Sequence, residues 1–178
     1  MTAAEALFLE KGFAATSVDE IVRHADVAKG TFYLHFRSKD DMLIALRERF
    51  IDSYCQGLEQ RLNALPPDDW HGRIAVWAEA GIAGYLDNYR LHDMVLQDVH
   101  PPIRRMKQEN PAIVRLDVLL AQGNAAGAWN VADTRLMAIL LFNALHGAVD
   151  EMIANPGMMD RVDMVEGVKA FFLSVVRQ

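Results

Sequence analysis

The chain has 178 residues, of which 52% are hydrophobic, and it carries a net charge of −6. This length suits one large domain or a small domain joined to a larger one, with enough apolar material for a core. The single cysteine, Cys55, excludes an intrachain disulfide and favours a cytoplasmic location, and we expect no signal peptide. The most apolar run, residues 136–145, is shorter than the roughly 20 residues of a membrane span, so no membrane partner is predicted.

The first fifty residues predict three short helices and the start of a fourth. Apolar residues at helical spacing predict a helix over 2–11, which a glycine ends. A second helix begins after Ser17, because Glu20 follows three residues later, as in a capping box. Asp26, a residue type that tolerates left-handed backbone, marks the turn into a third helix. Two helices joined by such a turn form a helix-turn-helix, which we place at residues 17–36.

The third helix is predicted to expose a row of hydrogen-bond donors. Val27, Phe32 and Phe36 are expected to face the core, which leaves a lysine, a hydroxyl, a phenol and an imidazole outside. These groups can bond to DNA phosphates or base edges, although a surface hairpin with solvated side chains is the alternative. Residues 23–39 hold four Lys/Arg and one acidic residue, although the whole chain is acidic. The predicted DNA-binding face consists of Ser17, Ala28, Lys29, Gly30, Thr31, Tyr33, His35 and Lys39.

Three motifs within residues 3–50 are FLEKGFAATS, KGTFYLHF and the Ser38-Lys39 pair that opens the next helix. Together they resemble the DNA-binding domain of the TetR family of transcriptional regulators. The resemblance implies a homodimer that places two recognition helices in successive major grooves of a near-palindromic operator. It also implies a repressor that a small ligand releases from DNA, with activation as the open alternative. Two positions depart from the family pattern: Asp26 stands where Gly is usual, and Ala28 where Ser is frequent.

The rest of the chain is also predicted to be helical. The fourth helix begins at Ser38 and keeps helical spacing to about residue 64, so it would link the DNA-binding domain to the remainder. We therefore predict an all-α fold, with a three-helix helix-turn-helix domain at 1–47 and a helical effector-binding and dimerisation domain at 48–178. Further helices are predicted over 68–88, 91–99, 102–109, 111–126, 134–154 and 160–177.

The predicted helix at 134–154 is apolar on nearly every side, which requires burial on every side. One small domain has too few residues to cover both this helix and the apolar stripe of the helix at 160–177. A partner subunit packed across a two-fold axis would cover them. We therefore predict a homodimer through 134–154 and 160–177. Leu145 is a trial position for a disruptive charge, with a place in the subunit's own core as the alternative.

Aromatic residues, methionines and scattered polar side chains fall on the helices between residues 68 and 154. A small organic effector needs an apolar cavity with a few polar groups, and we expect Gly81 and Gly84 to leave room in its wall. The alternative is an ordinary core, which aromatic and methionine residues at helical spacing usually form. The absence of a convergent Arg/Lys cluster there favours a mostly apolar effector, aromatic molecules included, over a sugar phosphate or a nucleotide. The predicted pocket residues are Trp77, Tyr85, Tyr89, His92, Met94, Met106, Trp129, Asn143 and His146.

No catalytic residues are predicted, and we do not expect an enzyme. The sequence has no phosphate-binding loop, dinucleotide-binding fingerprint or nucleophile elbow. A metal site is considered at His92, Asp93, Asp98 and His100, but these lack a compact ligand spacing, so neither a metal nor another cofactor is predicted. The alternative from another class is a helical small-molecule-binding protein or enzyme that has lost DNA binding.

Overall fold

The structure is a computed structural model that describes residues 1–96 and 110–176. The described residues form nine α-helices and no β-strand, which confirms the predicted all-α fold. The predicted helix at 102–109 and the end of the one at 91–99 lie outside the described residues. The helices are α1 (Thr2–Lys11), α2 (Val18–His24), α3 (Lys29–His35), α4 (Lys39–Asn63), α5 (Trp70–Leu86), α6 (Tyr89–Leu96), α7 (Pro111–Ala125), α8 (Thr134–Ala154) and α9 (Arg161–Val176).

The chain divides into two compact units. Within the described residues, unit 1 comprises Met1–Ser53 and 88–96, and unit 2 comprises Tyr54–Asp87 and 110–176. Helix α4 therefore supplies its first part to unit 1 and its second part to unit 2. The functional division at residue 47, with DNA binding before it and effector binding after it, stays a prediction.

Unit 1 closes around apolar side chains from α1, α2, α3, α6 and the first part of α4. Phe8 is almost fully buried and meets Phe13 edge-on, with 5.2 Å between the ring centres. Val95 of α6 is completely buried in the same core. Arg90, near the start of α6, donates a hydrogen bond to the Leu9 carbonyl of α1 at 2.7 Å. Helix α6 therefore packs with the N-terminal helices, whereas the sequence grouped it with the later ones.

Two local motifs define both ends of α2. The Ser17 hydroxyl accepts from the Glu20 amide at 3.2 Å, and the Glu20 carboxylate accepts from the Ser17 amide at 2.9 Å, so the predicted capping box is present. At the other end Asp26 has a φ of 53°, in the left-handed region. The Val27 amide donates to the Val22 carbonyl at 3.0 Å, the long bond of a Schellman motif. Interactions between near neighbours in sequence therefore set how the chain enters α3.

Unit 2 has a core built from α5, α7, α8, α9 and the second part of α4. Trp77, Leu141 and Phe172 are almost fully buried within it. Asp69 caps α5 by accepting a hydrogen bond from the Gly72 amide at 2.9 Å.

Two glycines of α5 lie against large side chains of unit 2. A β-carbon at Gly81 would lie 2.7 Å from Leu145 Cδ1, and one at Gly84 would lie 2.7 Å from the Tyr54 ring. These positions are glycine because a neighbouring side chain fills the space. The expectation that Gly81 and Gly84 leave room for a ligand is therefore wrong.

Helix α8 is buried on one side within a single chain. Leu141 and Leu145 are fully buried, whereas Leu136 and Leu140 are 52% and 55% exposed. A single chain therefore leaves part of α8 uncovered, in keeping with the expectation that one chain has too few residues to bury it on every side. Leu145 belongs to the core of unit 2, so it is not the interface position that we expected to test.

By length and composition alone, α8 could also cross a membrane, contrary to the expectation from its shorter apolar run. Core helices of soluble proteins meet the same criteria. In this structure α8 contributes Ala138, Leu141, Leu145 and Val149 to the core of unit 2.

Candidate nucleic-acid interface

Helix α3 is held to unit 1 by a single buried side chain, Phe32. Phe36, just past the helix, is partly buried and packs on Phe32 with 5.6 Å between the ring centres. Both residues face inward as predicted. Val27 does not, because 43% of its surface is exposed. Most of the surface of this short helix is therefore open to solvent.

The exposed side of α3 carries the predicted donors Lys29, Thr31, Tyr33 and His35. The Lys29 ammonium lies 2.7 Å from the Asp19 carboxylate, and this hydrogen bond raises the pKa of the lysine above its ordinary value. Both side chains are more than half exposed, so water screens the ion pair and breaking it costs little free energy. The ammonium can therefore turn to another hydrogen-bond acceptor with little loss of free energy.

The start of α3 is uncapped by any side chain. Ala28 occupies the N-cap position in extended backbone and makes no side-chain hydrogen bond there. A β-carbon added at Gly30 would meet no atom within 4 Å, so the surface above this residue is open. Together these small residues leave the backbone of the first turn accessible to a close partner.

Ser17 uses its hydroxyl and amide in the capping box of α2. The hydrogen bond from Lys11, and then those from Ser17, lower the pKa of Glu20 to about 2. Ser17 is exposed, but its hydroxyl is already hydrogen-bonded in the free protein. Its assignment as a DNA contact stays a prediction.

Lys39, predicted to bind phosphate, is engaged inside unit 1. Its ammonium donates to the carbonyls of Phe13 at 2.6 Å and Thr16 at 2.7 Å, with Ala14 at 3.4 Å. It also lies 4.4 Å from the centre of the Phe13 ring, a cation–π contact. In the free protein Lys39 therefore holds the loop between α1 and α2, a role that the sequence did not indicate.

Leu34 is a feature of this surface that the sequence analysis missed. It lies on α3 between Tyr33 and His35, and 82% of its surface is exposed. The sequence did contain a signal for this exposure. Phe32 and Phe36 supply the inward contacts of the segment, so Leu34, which lies between them, points away from that core.

The predicted pocket residues fall into separate parts of the structure. Tyr89, His92 and Met94 lie in unit 1, where His92 meets Phe50 edge-on at 6.1 Å between ring centres. Met106 lies outside the described residues. The remaining members, in unit 2, are Trp77, Tyr85, Trp129, Asn143 and His146.

Within unit 2 the structure brings two of these residues together. The rings of Tyr85 and His146 are 5.2 Å apart between centres, and the Tyr85 hydroxyl donates to the Asp150 carboxylate. Trp129 donates instead to the Leu120 carbonyl at 2.8 Å, and Asn143 is exposed. The pocket as a whole stays a prediction.

The metal alternative receives no support from the described residues. Within 1–96 and 110–176, no three His, Cys, Asp or Glu side chains converge on a point where an ion could bind. His92 Nδ1 instead lies 3.1 Å from the Asp93 carboxylate. Asp98 and His100 lie outside the described residues.

The arrangement of α2, the Schellman turn and the exposed α3 is a helix-turn-helix, the class of domain that places its second helix in a DNA groove. Residues 1–46 match the sequence profile described as "Bacterial regulatory proteins, tetR family". This match confirms that the N-terminal segment resembles the DNA-binding domain of the TetR family, as its motifs indicated.

Known proteins resemble the chain beyond its first 46 residues. It is 27% identical over 164 residues to the uncharacterized HTH-type transcriptional regulator YerO of Bacillus subtilis, an alignment covering 84% of this chain and 53% of YerO. The chain thus spans about half the length of that relative.

Solved structures share the fold over nearly the whole chain. The fatty acid degradation regulator FadR from Bacillus halodurans aligns with a TM-score of 0.79 at 23% identity, covering 99% of this chain and 94% of that one. FadR from Bacillus subtilis, solved in complex with stearoyl-CoA, aligns with a TM-score of 0.77 at 21% identity, covering 98% and 95%. At these identities the likeness establishes the fold.

Proposed function

We propose that this protein is a DNA-binding transcriptional regulator that acts in the cytoplasm as a repressor. The observation that carries the proposal is the exposed surface of α3, which presents Lys29, Thr31, Tyr33 and His35. Within this helix only Phe32 is buried in the core of unit 1. Such a helix can enter a major groove without uncovering the core of unit 1. Its donors match the acceptors on phosphates and base edges.

Separate roles follow for the members of this face. Lys29 lies in the first turn, where it can reach a guanine edge after leaving Asp19. Tyr33 and His35 lie further along the helix and are assigned to phosphates, together with Lys39 if DNA draws its ammonium away from the loop carbonyls. Ala28 and Gly30 allow the helix backbone to approach the DNA closely.

The proposed active form is a homodimer. Apolar side chains on α8 and α9 remain exposed in the single chain, among them Leu136, Leu140, Val162 and Phe171. A second copy would remove these side chains from water, which favours association. A two-fold axis would also present two α3 helices to half-sites about 34 Å apart on near-palindromic DNA.

The proposed effector is a mostly apolar molecule that binds in unit 2. The Trp77 indole N–H is buried and has no acceptor among the described residues, and such a donor is costly to leave unsatisfied. A ligand carbonyl beside Trp77 would satisfy it. The complex of Bacillus subtilis FadR with stearoyl-CoA makes long-chain acyl thioesters the first compounds to test, with the apolar acyl chain and its thioester carbonyl as the part proposed to bind in unit 2. Effector binding would then be transmitted through α4 and separate the two recognition helices.

The DNA proposal is tested by selecting duplexes from a random pool with the full chain and measuring affinity at several salt concentrations. We expect a near-palindromic sequence to be enriched. Tyr33→Phe and Lys29→Met should weaken binding to it. Because Lys29→Met also removes a positive charge, it should flatten the salt slope by about one. Absence of any DNA retardation at low salt would instead favour a small-molecule binder that has lost DNA binding.

The effector proposal is tested with the selected duplex. Stearoyl-CoA should release it, whereas coenzyme A alone should not. Trp77→Phe, which keeps an aromatic ring but removes the N–H, should need more ligand for the same release. Release by coenzyme A alone, or equal sensitivity of Trp77→Phe and the parent, would contradict the proposed site.

A further inference from the structure

Leu34 has the largest exposed fraction among the large hydrophobic residues in the described parts of the chain, at 82%. It lies on α3, four residues after Gly30 and three after Thr31, so these three residues share one side of the helix. Nothing stands within 4 Å of a β-carbon added at Gly30. Leu34 therefore projects from a slender, open side of the helix, where a partner can approach closely.

The surroundings of Leu34 indicate what that partner is. Its neighbours Lys29, Thr31 and His35 are polar and exposed, and the other exposed apolar surface of this segment comes from Tyr33, which carries a hydroxyl, and from Val27. Protein partners usually bury contiguous apolar area, whereas here a few apolar groups are set among hydrogen-bond donors. The four Lys/Arg residues between 23 and 39, against one acidic residue, favour a negatively charged partner.

The major groove of DNA presents the same combination of groups. Base edges there offer hydrogen-bond acceptors and donors, and the only apolar group is the C5-methyl of thymine. Contact between a leucine side chain and such a methyl group is favourable, because apolar surface of both groups leaves water. The methyl group also distinguishes T·A from the other base pairs.

We propose that Leu34 is a specificity-determining residue that contacts a thymine C5-methyl at one position in each operator half-site. This inference rests on the proposed function, because it requires α3 to enter the major groove. It adds an apolar base contact to the proposed polar contacts, and it assigns a base preference to a residue that was not among the predicted DNA-binding residues.

The test removes the methyl group from DNA and the side chain from the protein, separately and together. The duplex selected by the parent protein is synthesised with 2′-deoxyuridine in place of single thymines, which deletes only the C5-methyl. At one position per half-site the parent should lose about fourfold in affinity, the value expected for one buried carbon. For Leu34→Ala the same replacement should change affinity by less than about twofold.

Two controls test whether the loss of deoxyuridine sensitivity is specific to Leu34. Val118→Ala, which shortens an exposed apolar residue on α7 of unit 2, should keep the parent's sensitivity to deoxyuridine. Circular dichroism should show that Leu34→Ala is folded, since an exposed leucine contributes little to the core and alanine favours helix.

The outcomes separate this inference from the proposed function. If no DNA is enriched or retarded at low salt, both are overturned. If a sequence is enriched but no deoxyuridine position is sensitive, or if Leu34→Ala keeps the full sensitivity, only the role of Leu34 is overturned. If Leu34→Ala changes the sedimentation of the protein but keeps the parent's sensitivity to deoxyuridine, the residue belongs to a protein contact and the inference is also overturned.

Discussion

Lys39 Nζ lies 2.6 Å from the carbonyl oxygen of Phe13 and 4.4 Å from the centre of its ring. The two residues are 26 positions apart, so this contact ties the loop after α1 to the first residue of α4. The same loop leads to Ser17, which caps α2. A lysine at the expected DNA surface therefore also stabilises the framework that carries the recognition helix.

Lys39→Met should destabilise unit 1. The substitution keeps a long apolar stem but leaves the Phe13 and Thr16 carbonyls without a charged donor, which costs about 1–3 kcal/mol. Urea unfolding at neutral pH measures the change. Lys29→Met is the matched control, since its ammonium pairs only with the exposed Asp19, and it should leave the midpoint nearly unchanged. Equal midpoints for the two variants would contradict the role of Lys39.

The Glu20 interaction should make stability depend on pH in the acid range. Hydrogen bonds from Lys11 and then from Ser17 lower its pKa from the ordinary value of 4.5 to about 2. A lowered pKa means that the stabilisation is present above pH 4.5 and is lost as the pH falls towards 2. The difference in urea midpoint between the parent and Glu20→Gln should therefore shrink over this range.

Lys11→Met provides the control for this pH dependence. Lys11 is the largest cause of the lowered pKa, so the acid-dependent difference between Lys11→Met and the double variant with Glu20→Gln should be smaller. A difference between the parent and Glu20→Gln that stays constant from pH 5 to pH 2 would show that the carboxylate contributes no stability through its charge.

Gly123→Ala should destabilise unit 2. A β-carbon at Gly123 would lie 2.0 Å from the Trp129 ring, which is itself fixed by its hydrogen bond to Leu120. Overpacking of this kind typically costs about 1–3 kcal/mol. Gly57→Ala is the control within α4, because nothing lies within 4 Å of its β-carbon. It should stabilise the helix by about 0.5–1 kcal/mol, and thermal unfolding should move the two variants in opposite directions.

Leu140→Arg should split the proposed dimer without unfolding unit 2. Leu140 is more than half exposed in the single chain, so an arginine there meets water unless a second copy covers it. Sedimentation at micromolar concentration should show a dimer for the parent and a monomer for the variant, with unchanged helical content. A parent protein that sediments as a monomer would overturn the proposed interface.

Two further variants control for the position of the charge. Val118→Arg, at a similarly exposed position on α7, should leave the dimer intact. Leu145→Arg should instead unfold unit 2, because it buries an unpaired charge in the core beside Gly81. A monomeric but folded Leu145→Arg would place the interface on the opposite side of α8.

Features that depend on residues close together in the chain could be predicted from the amino-acid sequence alone. The Ser17–Glu20 capping box and the left-handed Asp26 involve groups within a few residues, so their spacing predicts their geometry. The inward position of Phe32 follows from the period of a helix. Local spacing and motif residues therefore predicted the helix-turn-helix, the family and most of the exposed face of α3.

Which surfaces of these helices pack together could not be predicted in this way. Periodicity cannot choose the buried side of a helix as uniformly apolar as α8, so the contrast between Leu145 and Leu140 depends on what packs beside it. In the sequence, Gly81 is compatible with either an open cavity or a close contact, and in the structure the Leu145 side chain lies against it. The inward position of the Lys39 ammonium likewise depends on loop carbonyls distant in sequence. In each case the physical reason is the same: burial and hydrogen bonding depend on partners that only the folded chain brings together.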